Sequence, residues 1–327
     1  MISQNTRLIA GREVRAVGLG CMGITHASGT PMTIDEGAKV LQQAYDMGYN
    51  LFDTAECYTG IYPDGTIAYN EDVVGKAIQP FRDKIFLETK CGVHHKGDHL
   101  ELDSSPAEIR RAIEGSLKRL NTDHVDLYYQ HRIDPKVPPE EVASTMADLI
   151  REGKILAWGI SETNEEYLRR AHAVCPVSAI QNRYSMMARW HESIFPTVEE
   201  LGITYVAFSP LANGFLTGRF TDNAQFQQNG DFRATMPQYT EEGRARAQEL
   251  LDLLDRMAEE KGATPAQISL AWMLNKKEWI IPIPGSRKPN RLQENLRAAD
   301  IVLTSDEIAD IDNRLNQMDL LVFGGHH

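Results

Sequence analysis

From residue 33 onward the chain alternates helix-patterned and strand-patterned stretches. That alternation constrains the fold more than any other feature, because strands separated by helices pair in parallel, as in an α/β architecture. Thr33 followed by Glu36 has the form of a capping box and predicts a helix over 33–47. Asn70 before acidic residues predicts one over 70–79, Ser105-Pro106 opens one over 106–120, and a fourth is expected over 139–152. Apolar runs at 50–53, 84–89, 125–130 and 155–160 fill the gaps, and further strands are expected near 178–181, 203–208 and 279–283. A long helix is predicted from Thr240 to Lys261, another after Thr264-Pro265, and a last one after Thr304. Residues 7–19 alternate and turn at Ala10-Gly11, predicting a hairpin ahead of or leading into the first strand of the series. Counting that strand gives eight. A chain of 327 residues has room for two average domains or one large α/β barrel. No linker or low-complexity stretch divides it, so 1–327 is expected to be a single (β/α)8 TIM barrel domain with an N-terminal β-hairpin and extra C-terminal helices.

In such a barrel every strand opens its C-terminal end onto one face, so groups distant in sequence converge there. NLFDTAECY delivers Asp53 and then Tyr58, IFLETK delivers Lys90, and VDLYYQH delivers His131. A phenol is a weak acid, and a nearby ammonium favours its ionised form, so Lys90 is expected to lower the pKa of Tyr58. A carboxylate beside the ammonium would hold it in place, a role that suits Asp53. His131 can donate a hydrogen bond to a carbonyl oxygen as negative charge develops there, and Tyr58 can supply the proton. Taken singly, each residue also has an ordinary reading: Asp53 as a turn cap, Lys90 as a strand-end residue, His131 as a packing histidine.

In kind and order these four residues resemble the tetrad of the aldo-keto reductase family, and the resemblance runs from about Arg7 to Asn295. It implies a hairpin-floored barrel that reduces an aldehyde or ketone with NADPH, or runs the reverse oxidation with NADP, needing no metal. It also implies the cofactor site. Met22, in the first βα turn, lines the cofactor pocket, and Asp53 belongs to it as well as to the tetrad. Ser161 of WGIS and Gln181 of AIQNRYS would hold the nicotinamide carboxamide. Phe208 would stack on the nicotinamide where many members have tyrosine, and Ser209, Leu211 and Asn213 would line the pyrophosphate. In IIPIPGSRKPNRLQENL, Gly285 and Ser286 would admit the backbone to the cofactor, and Arg287 and Arg291, with Lys288, would meet a 2'-phosphate. Glu294 and Asn295 would hold the adenosine. Glu162 stands where the family often has asparagine, so that contact is not carried over. The same resemblance covers potassium-channel β subunits, which leaves a cofactor-binding regulatory subunit with little turnover as the alternative.

Other features point elsewhere only superficially. Gly18-Leu-Gly-Cys-Met-Gly23 matches GxGxxG, but a loop, ITHASGTP, intervenes before the helix and no acid follows at the Rossmann position. Cys91, His94, His95 and His99 lie in CGVHHKGDH without a metal-binding framework, and a loop is expected there. A net charge of -12 argues against a nucleic-acid partner, and the N-terminus carries neither a signal-peptide core nor a membrane span, so a cytoplasmic protein is expected. Cys21, Cys57, Cys91 and Cys175 are scattered and read as reduced thiols, three of them near the presumed site. Loop 59–69 is expected to wall the substrate pocket, with Tyr62 and Tyr69 either touching substrate or packing on the surface. Residues 214–239 are expected to form a lid, and the tail, through Phe323, to complete the pocket.

Overall fold

Eight parallel strands pair in strict chain order: β1 (Leu19–Gly20), β2 (Leu51–Asp53), β3 (Phe86–Cys91), β4 (Val125–Gln130), β5 (Ile155–Ser161), β6 (Ala179–Arg183), β7 (Thr204–Phe208) and β8 (Ile280–Pro282). This computed structural model describes residues 5–27, 29–97, 99–220, 226 and 231–324. The first and last strands meet where the Gly18 amide donates to the Pro282 carbonyl at 3.0 Å. Two glycines make that approach possible: a Cβ on Gly20 would lie 2.7 Å from the Ile283 oxygen, and one on Gly285 would lie 2.4 Å from the Gly20 oxygen. The glycines of the GxGxxG match therefore include one that closes a (β/α)8 barrel.

Side chains alternate across each strand. Leu51, Phe86, Leu127, Ala157, Ala179, Val206 and Ile281 fill the barrel interior. Ile9 and Val14 join the same cluster from the antiparallel hairpin Thr6–Ile9 and Arg12–Arg15, which turns at Ala10 and Gly11 with φ of 49° and 75°. The hairpin thus plugs the floor. It is tied there by Arg7, which donates to the Leu274 carbonyl, and by Arg12, which pairs with Asp126.

Around the barrel run α1 (Ile34–Asp46), α2 (Asn70–Ile78), α3 (Pro106–Leu120), α4 (Pro139–Arg151), α5 (Glu165–Val174), α6 (Phe195–Leu201), α7 (Glu241–Lys261), α8 (Pro265–Lys276), α9 (Pro289–Leu296) and α10 (Ser305–Leu315). Local chemistry sets their ends. Thr33 with Glu36, Thr264 with Gln267 and Thr304 with Glu307 form complete capping boxes, and Ser105 caps α3 with proline in the first turn. The helices bury apolar stripes, as α1 does with Val40, Leu41 and Ala44, and α7 and α10 pack on α8.

The helix expected from Asn70 is present, and two other local expectations differ. Asn70 is the first residue of α2, and its side chain accepts from Thr54 and donates to the Cys21 carbonyl and to Thr25. It joins the loops that follow β1 and β2. The stretch 59–69 is a β-hairpin, Thr59–Ile61 with Ile67–Tyr69, and the histidine-rich stretch is another, Val93–Lys96 with His99–Leu102. Among the described residues no group of histidines, cysteines and carboxylates is placed to hold a metal, and no helix is long and apolar enough to cross a membrane.

Candidate active site

Lys90 is the hub of the strand-end cluster. It is fully buried, and its ammonium donates to Asp53 Oδ1 at 2.7 Å, to the Thr54 carbonyl at 2.9 Å and to the Tyr58 hydroxyl at 3.2 Å. Burial pulls the Lys90 pKa down, but the Asp53 carboxylate and Tyr58 outweigh it and raise the value, so the ammonium stays charged. Gln181 donates to the other Asp53 oxygen at 2.9 Å. The Tyr58 backbone is pinned from two sides, its carbonyl accepting from Thr25 Oγ1 and from the Asn70 amide.

The Tyr58 phenol departs from expectation. Burial pushes it up to about 12, and although Lys90 acts in the lowering direction, it does not offset burial and the nearby Asp53 carboxylate. The hydroxyl is therefore protonated throughout the neutral range, the form a proton donor needs. His131 packs edge-on against Tyr58, with ring centroids 5.7 Å apart. Burial, then Arg132 and Lys90, holds its pKa well below the ordinary range, so the imidazole is neutral. Its Nδ1 lies 3.4 Å from Cys57 Sγ. Burial pushes the Cys57 thiol up to about 12, so the sulfur carries its proton. A thiol donating to Nδ1 leaves the histidine proton on Nε2, where it can be donated to a substrate oxygen.

Two further groups join the four strand-end residues in this cluster. Cys57 is one, and Glu88 is the other. Glu88 sits two residues before Lys90 on the same inward face, beside Asp53 in the ladder, with no exposed surface. It accepts from the Tyr129 hydroxyl at 3.3 Å. Gly159 makes room for that ring, since a Cβ there would lie 2.5 Å from it. Burial, then the Asp53 carboxylate, raises the Glu88 pKa well above its ordinary value, and Asp53 also offers an acceptor to the protonated form. The barrel thus holds two adjacent carboxyl groups, of which Glu88 keeps its proton. The alternation of IFLETK carried this signal, because Phe86, Glu88 and Lys90 share one face.

The cluster opens into a cleft of about 660 Å³. Asp53 and Tyr58 line one end with Met22, Gln181 and Phe208; Ser209, Leu211 and Asn213 follow; Gly285, Ser286, Arg287, Arg291, Glu294 and Asn295 line the far end. Ser161 does not line it. Paired in register with Gln181, it is buried, and its Oγ accepts from Arg132 at 3.0 Å. The two arginines are already engaged. Arg287 donates to the carbonyls of Gly23 and Thr30, strapping the first loop to the last, and Arg291 donates to Glu294, which Arg219 also grips. Arg219, Arg233 and Lys288 line the same end, and Lys288 makes no ion pair among the described residues. Phe220, Phe232 and Arg233 bring the described part of 214–239 to the cleft; residues 221–225 and 227–230 of that stretch, and 325–327 of the tail, lie outside the described residues. Tyr62 and Tyr69 do not line it, and Tyr69 packs under Arg119 instead, its ring centre 5.1 Å from the guanidinium.

Comparison with known proteins bears on this geometry. A protein named probable aldo-keto reductase 1 from Glycine max is 37% identical over 305 residues, covering 92% of this chain and 85% of the relative. An aldo-keto reductase from Strobilurus tenacellus is 37% identical over 317 residues, covering 94% and 90%. The structure of a glycerol dehydrogenase from Gluconobacter oxydans superposes with a TM-score of 0.86 at 27% identity, covering all of both chains. An aldo/keto reductase from Klebsiella pneumoniae, solved with NADP and acetate, gives 0.71 at 28% identity over 98% of this chain and 100% of that one. The model of the aldo/keto reductase family matches residues 16–316, which takes in all four strand-end residues and both ends of the cleft. The chain belongs to the aldo/keto reductase family.

Proposed function

We propose that the chain is an NADPH-dependent reductase of an aldehyde or ketone, able to run the reverse oxidation with NADP. One observation carries the reading: a protonated Tyr58 hydroxyl lies 3.2 Å from a charged Lys90 and beside a neutral His131, at one end of a cleft of about 660 Å³.

The residues of the cleft fit such a group. Among the described residues, Asn213 Oδ1 and Arg287 Nη2 are buried without partners and belong to cleft-lining residues, so a polar ligand is what would satisfy them. Phe208 offers an aromatic face, Asn213 adopts a left-handed φ of 61° beside Gly214, and the far end gathers Arg219, Arg233, Arg287, Lys288 and Arg291. Lys288 and Arg291 are the side chains best placed for a 2'-phosphate, with Ser286 before them. Arg287 contributes by holding the first loop closed.

NADPH, when bound, supplies the hydride. His131 Nε2 and the Tyr58 hydroxyl orient the carbonyl oxygen, and donors positioned where charge develops lower the barrier. Tyr58 gives its proton to that oxygen, Lys90 stabilises the phenolate left behind, and Asp53 with Gln181 fixes Lys90. The carbonyl carbon gains a hydride and the oxygen a proton, so a carbonyl becomes an alcohol while the cofactor is oxidised.

The test is NADPH and NADH consumption with a panel of activated aldehydes, quinones and sugars. The reading expects turnover of carbonyl compounds with a preference for NADPH. Tight NADPH binding without turnover would favour the regulatory alternative.

A further inference from the structure

Two arginines converge on Phe208, the aromatic wall of the cleft. Arg183, the last residue of β6, places its guanidinium 4.9 Å from the Phe208 centroid and 5.5 Å from that of Phe323. Arg132, next in sequence to His131, places its own 5.8 Å from the same Phe208 ring. A guanidinium stacks on aromatic rings through its flat faces, which leaves its in-plane N–H groups to find acceptors.

Among the described residues those acceptors are only partly supplied. Arg132 uses Nη1 on the His131 carbonyl and on Ser161 Oγ. The Arg183 guanidinium has no hydrogen-bond partner among the described residues, and its Nη1 is buried. The carboxylate near both is Glu162, but its Oε1 accepts from the Arg183 backbone amide and its Oε2 faces His191 Nε2 at 3.8 Å. Buried donors are rarely left unpaired in native proteins, and a charged one least of all.

Two imidazoles lie on the other side of Tyr58. His26 stacks on Tyr58 at 5.8 Å, and His95 lies 5.1 Å from His26. Two guanidiniums, Arg132 and Arg183, therefore gather beside Phe208 in a chain whose net charge is -12. Arg132 follows the residue that would orient the carbonyl, and Phe323, which covers Arg183, is held by Phe232 and by an amide bond to Gln238 Oε1 at 2.9 Å.

We propose that Arg132 and Arg183 form a carboxylate subsite of the substrate pocket, so that the preferred substrates are carbonyl compounds that also carry a carboxylate, such as oxo acids and semialdehyde acids. The carbonyl sits at Tyr58 and His131, and the carboxylate takes the free N–H groups of the two guanidiniums in charge-assisted bonds. This rests on the reductase reading and adds the substrate class to it.

Two matched pairs test it: para-carboxybenzaldehyde against its methyl ester, and succinic semialdehyde against butanal, each with NADPH. In at least one pair the acid is expected to exceed its neutral partner in kcat/KM by about tenfold or more, mainly through KM. Arg183→Met should move that ratio toward one, and Arg183→Lys should leave it between the two, with NADPH titration confirming that both variants are folded. Equal kcat/KM within both pairs, or an acid preference unchanged in Arg183→Met and Arg132→Met alike, overturns the subsite while leaving the reductase reading intact. No turnover with any of the four compounds, despite bound NADPH, overturns the reductase reading on which the subsite depends.

Discussion

Glu88 links the chemistry of the site to the stability of the barrel. Buried beside Asp53, it keeps its proton in the folded chain, whereas the unfolded chain releases it near the ordinary value of 4.5. An acid whose folded pKa is raised contributes its full stability below the unfolded value, and loses it as pH rises toward the folded one. Glu88→Gln keeps the shape and removes the titration. The variant is therefore expected to melt higher than the parent at about pH 8, with the gap closing toward about pH 4.5. Thermal unfolding across that range checks it, and a gap independent of pH would mean that Glu88 is ionised. The residues that were legible in the sequence, Asp53, Tyr58, Lys90 and His131, stand at strand ends, where a polar residue after an apolar run is conspicuous. The environments of Glu88, Cys57 and Arg183 were not, although Cys57 was placed near the site, because each is set by residues far away in sequence: Glu88 by Asp53 and Tyr129, Cys57 by His131, Arg183 by Phe208 and Phe323.

Among elements, the seam between β1 and β8 is where the barrel closes, and it closes on glycine. Gly20→Ala would put a Cβ 2.7 Å from the Ile283 carbonyl, a backbone atom that cannot rotate away. Overpacking of this kind costs typically about 1–3 kcal/mol. The variant should show a correspondingly lower urea midpoint, with the parent slope; an unchanged midpoint would show that the seam yields freely. Helix boundaries were readable wherever a capping residue marks them, as at Thr33, Ser105, Thr264 and Thr304. The hairpins at 59–69 and 93–102 read as loops because their strands are three or four residues long, so period-two alternation has too few positions in which to register. The GxGxxG string needed its context as well as its glycines: the same spacing that would bind a pyrophosphate in a Rossmann unit here includes a residue that lets two strands touch.

At the scale of the molecule, the barrel sorts its groups by direction. Apolar side chains and the hairpin fill the floor, the paired ions Asp53 and Lys90 sit near the top, and the cleft runs across the strand ends to a cationic far wall. Eight strands in parallel were legible from the alternation of the sequence, whereas the strap from Arg287 to Gly23 and Thr30 was not, since it joins the first loop to the last. The central claim is that Tyr58 donates the proton. Tyr58→Phe keeps the ring that packs on His131 and His26 and removes only the hydroxyl. Single-turnover reduction of a poorly activated aldehyde by enzyme-bound NADPH measures that step alone; the account predicts a rate lower by about 10² to 10⁴ with NADPH affinity retained, and a rate near that of the parent would contradict it.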